Sequence, residues 1–384
     1  MYTTGNPFTF GALALDEAFT DRTTELAALV SDLRNGQDVV IFAPRRYGKS
    51  SLVLRASAEA RAADVLVAYC DLMRTPTKER FAAALAKTIF EDVASPVEQI
   101  VERAAALFRG LRVRPTMEVD PETGGLRFGF DPAPRKADID ETIEKLLELP
   151  AALAAERKRR VAVVFDEFQE VIGLDPSFPN LMRAIFQTQP DVGHVYLGSK
   201  RHVLEQIFSD RNEPFWRSAK RVELGVIAPS EFAPFVAERF EATEKGIRPE
   251  ALARLVEATA GHPYATQELA YFVWELVPRG HFATVADLDA ALAQVLRSEH
   301  NHFARIWDEA TRNERLVMLA LAAEPSARLY SEDYRARHGL PASTFVQRAL
   351  AALTREEIVG RASDGRAYRI VEPFLAEWLR RDER

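Results

Sequence analysis

The sequence predicts an α/β fold: a parallel sheet wrapped by helices, then a small helical segment, then a C-terminal module of three helices and two short strands. Three observations predict it. Short apolar, β-branched runs recur between helical patterns, as strands buried on both faces of a parallel sheet do. The stretch VVIFAPRRYGKSSLVL, Val39 to Leu54, passes from such a strand through a tight loop into a helix. From Pro229 onward the strands stop and helical periodicity takes over until the chain's last two short strands.

A chain of 384 residues is long for one core and implies two or three domains. Its 47% apolar and 28% charged content is that of a globular protein, and a net charge of −7 excludes one that coats nucleic acid with its whole surface, leaving room for a local basic patch. Cys70 is the only cysteine, which excludes an intramolecular disulfide and a cysteine-based zinc site; within VLVAYCDL it reads as a buried strand residue. No basic segment with an apolar core opens the chain, and no later stretch is long and apolar enough to span a bilayer, so a cytoplasmic protein without membrane contact is expected.

The first helix is expected after Thr20 or Asp21 as cap, with Leu26, Leu29, Val30 and Leu33 turned inward and Asn35-Gly36 as its stop. The segment before it either only caps the helix or folds over a nucleotide base. After the strand at Val39, Ala43-Pro44-Arg45-Arg46-Tyr47 breaks the pattern, and Gly48-Lys49-Ser50-Ser51 opens a helix. Backbone N–H groups of such a loop and of the helix start make a concave phosphate site. Lys49 would reach the β- and γ-phosphates of a nucleoside triphosphate, and the Ser50 hydroxyl would ligate Mg²⁺. The spacing is that of the P-loop except that Ala43 replaces the first glycine, from which modest strain is expected.

A second strand is expected within Asp64–Asp71, followed by helix from about Thr77 to Phe108. Residues 112–131 alternate apolar and polar around Asp120–Gly125 and read as an inserted β-hairpin, either covering a sheet edge or, through Arg112, Arg114 and Arg127, touching a partner. A Glu- and Leu-rich helix, Asp138 to Lys158, leads to the strand Val161–Phe165, which ends in Asp166-Glu167. Adjacent acids at the C-terminal end of a buried strand sit where ligands of open α/β sheets bind. Paired with the loop upstream they form a Walker B pair, Asp166 for Mg²⁺ and Glu167 to activate the attacking water. The strand His194–Gly198 delivers Ser199, which senses the γ-phosphate, caps the next helix, or does both. Arg211 and Arg217 precede a fifth strand, Arg221–Ile227, and read as surface arginines or as one presented to a neighbour's nucleotide.

Helices follow from Pro229, with Gly261-His262-Pro263 between two of them, either as punctuation or as a lid element that senses the nucleotide. From about Thr311 the cadence is that of a winged helix, its third helix spanning Pro341 to Val359 with Phe345, Val346, Ala349, Leu350 and Leu353 inward and its wing around Asp364-Gly365. Arg348, Arg355, Arg361, Arg366 and Arg369 make the module basic, suiting either duplex DNA or a protein partner.

Taken in order, Asn6-Pro7-Phe8, Phe19-Thr20-Asp21-Arg22, Pro44–Ser50, Asp166-Glu167-Phe168-Gln169, Gly198-Ser199, Pro214-Phe215 with Arg217, and Gly261-His262-Pro263 give the chain its likeness. It resembles the archaeal-type P-loop ATPases, a branch of the P-loop NTPases near the AAA+ and STAND groups, over most of its length. The resemblance implies ATP or ADP with Mg²⁺, a helical lid and a winged helix. It implies phosphate and metal binding by Lys49 and Ser50, metal binding by Asp166 and base catalysis by Glu167. His262 stands where AAA+ lids carry an arginine, a STAND-like feature. The expected division is a core over residues 1–228, a lid over 229–310 and a winged helix over 311–384. The expected activity is an ATP-driven switch coupled to DNA, or a slower STAND-like one with a protein partner, in either case able to oligomerise.

Overall fold

The strand that leads into the loop is buried along its whole length because Val39, Val40, Ile41 and Phe42 offer no polar side chain to either face. In a computed structural model, which describes residues 5–14, 19–20, 22–93, 114–119, 126–131, 136–362 and 366–382, the chain forms two compact units. One comprises Thr23–Ala43 and Lys49–Leu224; the other comprises Met1–Arg22, Pro44–Gly48 and Gly225–Arg384.

The first unit carries β1 (Val39–Phe42), β2 (Leu66–Asp71), the hairpin strands β3 (Arg114–Val119) and β4 (Leu126–Asp131), β5 (Val161–Asp166), β6 (Val192–Gly198) and β7 (Lys220–Glu223). Five of them form a wholly parallel sheet in the order β2-β5-β6-β1-β7. Every central strand is buried and mostly apolar, whereas edge strand β7 exposes Lys220, Arg221 and Glu223, charges that discourage further pairing. Since the strands run one way, Ala43, Asp71, Asp166 and Ser199 share the C-terminal edge of the sheet, with β6 between β1 and β5. Phe165, Phe168, Phe186, Tyr196, Phe208 and Phe215 pack together beneath it.

Helix Thr23–Asn35 ends where expected, Gly36 taking a left-handed φ of 69°. Its expected cap Asp21 lies outside the described residues, as do 94–108 of the long expected helix, which is helical over Lys78–Val93. The hairpin pairs antiparallel from Arg114↔Asp131 to Val119↔Leu126; its turn, Asp120–Gly125, Arg112 and the side chains of Arg114 and Arg127 lie outside the described residues. The fifth strand stops at Glu223 rather than Ile227. Leu224 N–H makes the last bond to β1, at Phe42 O, and Ile227 N–H instead donates to Gly261 O.

In the second unit, helices Pro229–Glu241, Pro249–Thr259, Pro263–Leu276 and Val285–Glu309 pack with a minor parallel pair, β8 (Gly246–Ile247) and β9 (Phe282–Ala283). Phe8 is buried in this core, and Asn6 Nδ2 donates to Tyr271 O. The winged-helix order then follows: helices Arg312–Ala323, Glu332–Arg337 and Ser343–Arg355, strands β10 (Val359–Arg361) and β11 (Tyr368–Ile370), and helix Pro373–Asp382. The wing tip, Asp364-Gly365, lies outside the described residues. The third helix is shorter than expected and buries Val346, Ala349, Leu350 and Leu353 but leaves Phe345 48% exposed. At 100° per residue, Phe345 falls to the side of the stripe that Val346, Ala349, Leu350 and Leu353 define.

Candidate active site

Helix Lys49–Ala62 carries Lys49 and Ser50, both expected at the site, in its first turn. Lys49 is buried and its ammonium donates to Ala43 O at 3.0 Å, closing the ends of the loop on each other. Ala43 does not adopt a left-handed φ, so alanine in the first glycine's place brings none of the expected backbone strain. Ser51 is buried.

Ser50 Oγ donates to Asp166 Oδ2 at 2.9 Å. The same carboxylate oxygen accepts the hydroxyl of Tyr69, and Asp166 Oδ1 accepts the Glu167 N–H at 2.9 Å. Tyr69 stays protonated, its pKa raised first by burial and then by the Asp166 charge. Glu167 takes a left-handed φ of 55°, which turns its side chain away from Asp166 toward β6. There Glu167 Oε2 accepts from Ser199 Oγ at 2.7 Å, Ser199 N–H at 3.2 Å and Gln169 Nε2 at 2.5 Å. Burial alone would raise the Glu167 pKa; the hydrogen bonds from Gln169 and Ser199 and the charge of Lys49 outweigh it and hold the carboxyl below its usual value. Ser199 does not cap the next helix: its hydroxyl is spent on Glu167, and helix Arg201–Ser209 begins after Lys200 without a side-chain cap.

Arg217 is not brought to these carboxylates. It is exposed, at a left-handed φ of 54°, with its guanidinium over the Trp216 ring at 4.9 Å; Trp216 is itself 40% exposed. Arg211 is exposed on the same connection.

The loop residues Pro44–Gly48 group with the second unit. Arg46 and Gly48 both take left-handed φ, 64° and 81°, the alternation that curls backbone N–H groups into an anion-binding nest. Arg45 is exposed, and the Arg46 guanidinium lies over the Tyr264 ring at 4.3 Å. The Tyr47 ring meets His262 edge-on, with centroids 4.7 Å apart. His262 caps helix Pro263–Leu276, its Nδ1 accepting from Ala265 N–H at 3.2 Å. Burial, then the Arg369 and Arg46 charges, lower its pKa to about 3, so the imidazole is neutral. Pro263 fills the first helical position.

Glu268, on the same helix and buried, has its pKa pushed up to about 7 by burial and by the charges of Glu299 and Glu372, partly relieved by Arg46. The folded protein therefore holds this proton more tightly than the unfolded chain does. The stability it confers is fully present below about pH 4.5, the ordinary value, and is lost as pH rises through about 7. Glu268→Gln is expected to stabilise the protein by about 1–2 kcal/mol at pH 8 and negligibly at pH 4.5, measured by thermal unfolding at both pH values.

Residues 19–269 match the family model described as an ATPase domain predominantly from Archaea. The chain belongs to that ATPase family. Residues 301–381 of this ATPase match a probable winged helix domain. Among solved structures, a Walker-type ATPase of Pyrococcus abyssi shares its fold at 16% identity and TM-score 0.64, covering 96% of this chain and 97% of that one. The ORC2 protein of Aeropyrum pernix, solved with ADPNP and ADP, does so at 14% identity and TM-score 0.53, covering 97% of each. No curated protein matches. The ATPase is thus an ATP-hydrolysing P-loop enzyme, and among its described residues no helix is long and apolar enough to cross a membrane.

The sequence reading misses Tyr69 altogether, and it meets Arg22 and Gln169 only within the motifs of the likeness and Arg369 only as a basic residue, without the contacts they make here. Tyr69 had a usable signal: it lies two residues before Asp71, on the same face of β2, diagonal to Asp166 across the pair Asp71↔Asp166. The contacts of Arg22 and Arg369 had none, since their partners lie far along the chain.

Proposed function

We propose that this ATPase is a Mg²⁺-dependent switch in which Glu167 activates the water that attacks ATP, and in which the winged helix passes the change of state to duplex DNA. One observation carries the chemistry. The adjacent carboxylates are held apart for different work, Asp166 by Ser50 and Tyr69, Glu167 by Ser199 and Gln169. Ser50 and Asp166 offer hard oxygens 2.9 Å apart, a donor pair that suits Mg²⁺, which fills its remaining positions with water and phosphate. Among the described residues no larger cluster of His, Cys, Asp or Glu competes for a metal. When bound, Mg²⁺ would neutralise charge on the phosphate oxygens. Lys49 would reach the β- and γ-phosphates, and the backbone of residues 43–51 would cradle them. Glu167, ionised at neutral pH, would accept a proton from water, while Ser199 orients it and registers the γ-phosphate. His262, being neutral and spent as a cap, would act with Pro263 as a shape-fitting part of the lid. Arg217 beside Trp216 is where a second copy would offer an arginine.

We assign 1–228 to the core, 229–310 to the lid and 311–384 to the winged helix. DNA as partner is supported by the third helix, which exposes Ser343, Thr344, Gln347 and Arg348, and by exposed Arg361 and Arg366 on the wing. The reading with a protein partner and slow turnover has its own support in Phe345 and Tyr330, 48% and 42% exposed on the same module. Steady-state ATP turnover with and without duplex DNA separates the two. Stimulation is expected, with DNA affinity falling steeply as salt rises. Neutralising Arg348, Arg361 and Arg366 together is expected to flatten the slope of log K against log salt by about 2–3. Turnover indifferent to DNA, with ADP retained through purification, would move the assignment to the protein partner.

A further inference from the structure

Three segments of one compact unit converge on Tyr47 in the phosphate loop. Buried Arg22, from the chain before the first helix, donates to the Tyr47 carbonyl at 3.1 Å and to Gly225 O at 2.7 Å. His262, from the helix pair after the sheet, packs on the Tyr47 ring. Arg369, on winged-helix strand β11 and 322 residues away in sequence, donates from Nη2 to the Tyr47 hydroxyl at 3.0 Å. The Arg369 Nε is buried with no hydrogen-bond partner among the described residues. Tyr47 is 3% exposed, and its hydroxyl is the one polar handle that the loop's ring offers the winged helix.

We propose that Arg369 is a positioning residue for the phosphate loop: through the Tyr47 hydroxyl, the winged helix fixes the backbone that receives the phosphates. The inference rests on the ATP site assigned above. It makes the C-terminal module part of nucleotide binding itself, so any partner that pulls β11 away from Tyr47 loosens the nucleotide. Tyr47→Phe keeps the ring against His262 and removes only the hydroxyl; Arg369→Ala removes the donor; Arg369→Lys leaves a shorter one.

The test is the affinity of the full chain for a fluorescent methylanthraniloyl-ATP with Mg²⁺, in wild type, the three variants, the Tyr47→Phe/Arg369→Ala double variant and Lys49→Ala. A charged donor on a buried hydroxyl predicts about a tenfold loss for each of Tyr47→Phe and Arg369→Ala. The double variant should lose no more than either, and Arg369→Lys should recover part of the loss. Hydrogen exchange of residues 44–48 should quicken in both single variants even without nucleotide. Losses that multiply in the double variant, or unchanged affinity and exchange, would overturn the inference while Lys49→Ala still fails to bind. Wild type and Lys49→Ala binding alike would remove the site reading, and the inference with it.

Discussion

Glu167→Gln is expected to lower ATP turnover about 10²–10³-fold while leaving ATP binding within a few-fold of wild type. The carboxamide keeps the size of the side chain and an oxygen that can accept from Ser199, so the pocket is preserved. What it loses is the basic oxygen to which the proposed function gives the proton from water, and the carboxyl it replaces is held below its usual pKa because Gln169, Ser199 and Lys49 together outweigh its burial. Lys49→Ala should behave in the opposite way, with binding lost first. Single-turnover measurements at saturating ATP, beside an equilibrium binding curve for each variant, distinguish the two. Turnover in Glu167→Gln equal to wild type would take the base away from this residue. The left-handed backbone of Glu167 adds a further expectation. Since that conformation directs the carboxylate to β6, Ser199→Ala should reduce turnover more modestly, by weakening its placement rather than its basicity.

Gly261→Ala is expected to destabilise the second unit by about 2–5 kcal/mol, combining left-handed strain with overpacking. Gly261 has a φ of 71°, and a Cβ there would stand 2.1 Å from the Ile227 carbonyl oxygen, which is backbone and cannot swing aside. The Gly261 carbonyl accepts the Ile227 N–H at 2.9 Å, so the crowding falls on the bond that ties the start of this unit to the His262 turn. Gly225→Ala serves as the comparison, because a Cβ at that position meets nothing within 4 Å. Thermal unfolding should show a midpoint lowered by roughly 5 °C or more for Gly261→Ala and little change for Gly225→Ala. Equal midpoints would show that the turn at 261 moves freely. Because Ala260 is already left-handed at φ 48°, the turn has little capacity to absorb a second strained residue.

The sequence by itself determined the parallel sheet, the loop after its first strand, the acids ending β5, and the winged-helix order. Each is written in contiguous residues: apolar runs too short for helices, a Gly-Lys-Ser helix start, and helical stripes such as Val346, Ala349, Leu350 and Leu353. Local periodicity and local chemistry are enough for such features. Choices between readings that were equally good locally were left to tertiary structure. Ser199 is suited to capping the next helix until β6 is found beside β5 and its hydroxyl reaches Glu167. His262 reads as punctuation or as a sensor until burial and two arginines show it to be a neutral cap. The fifth strand looks apolar through Ile227, yet pairing ends at Leu224 because Ile227 finds its acceptor in a turn more than thirty residues further on. The contacts of Arg22 and Arg369 carry no local mark, since both act on Tyr47, which only folding brings near, and that of Tyr69 on Asp166 has only its place on the strand to point to it. A hydrogen bond of 3 Å is blind to sequence separation, and a motif read along the chain cannot register it.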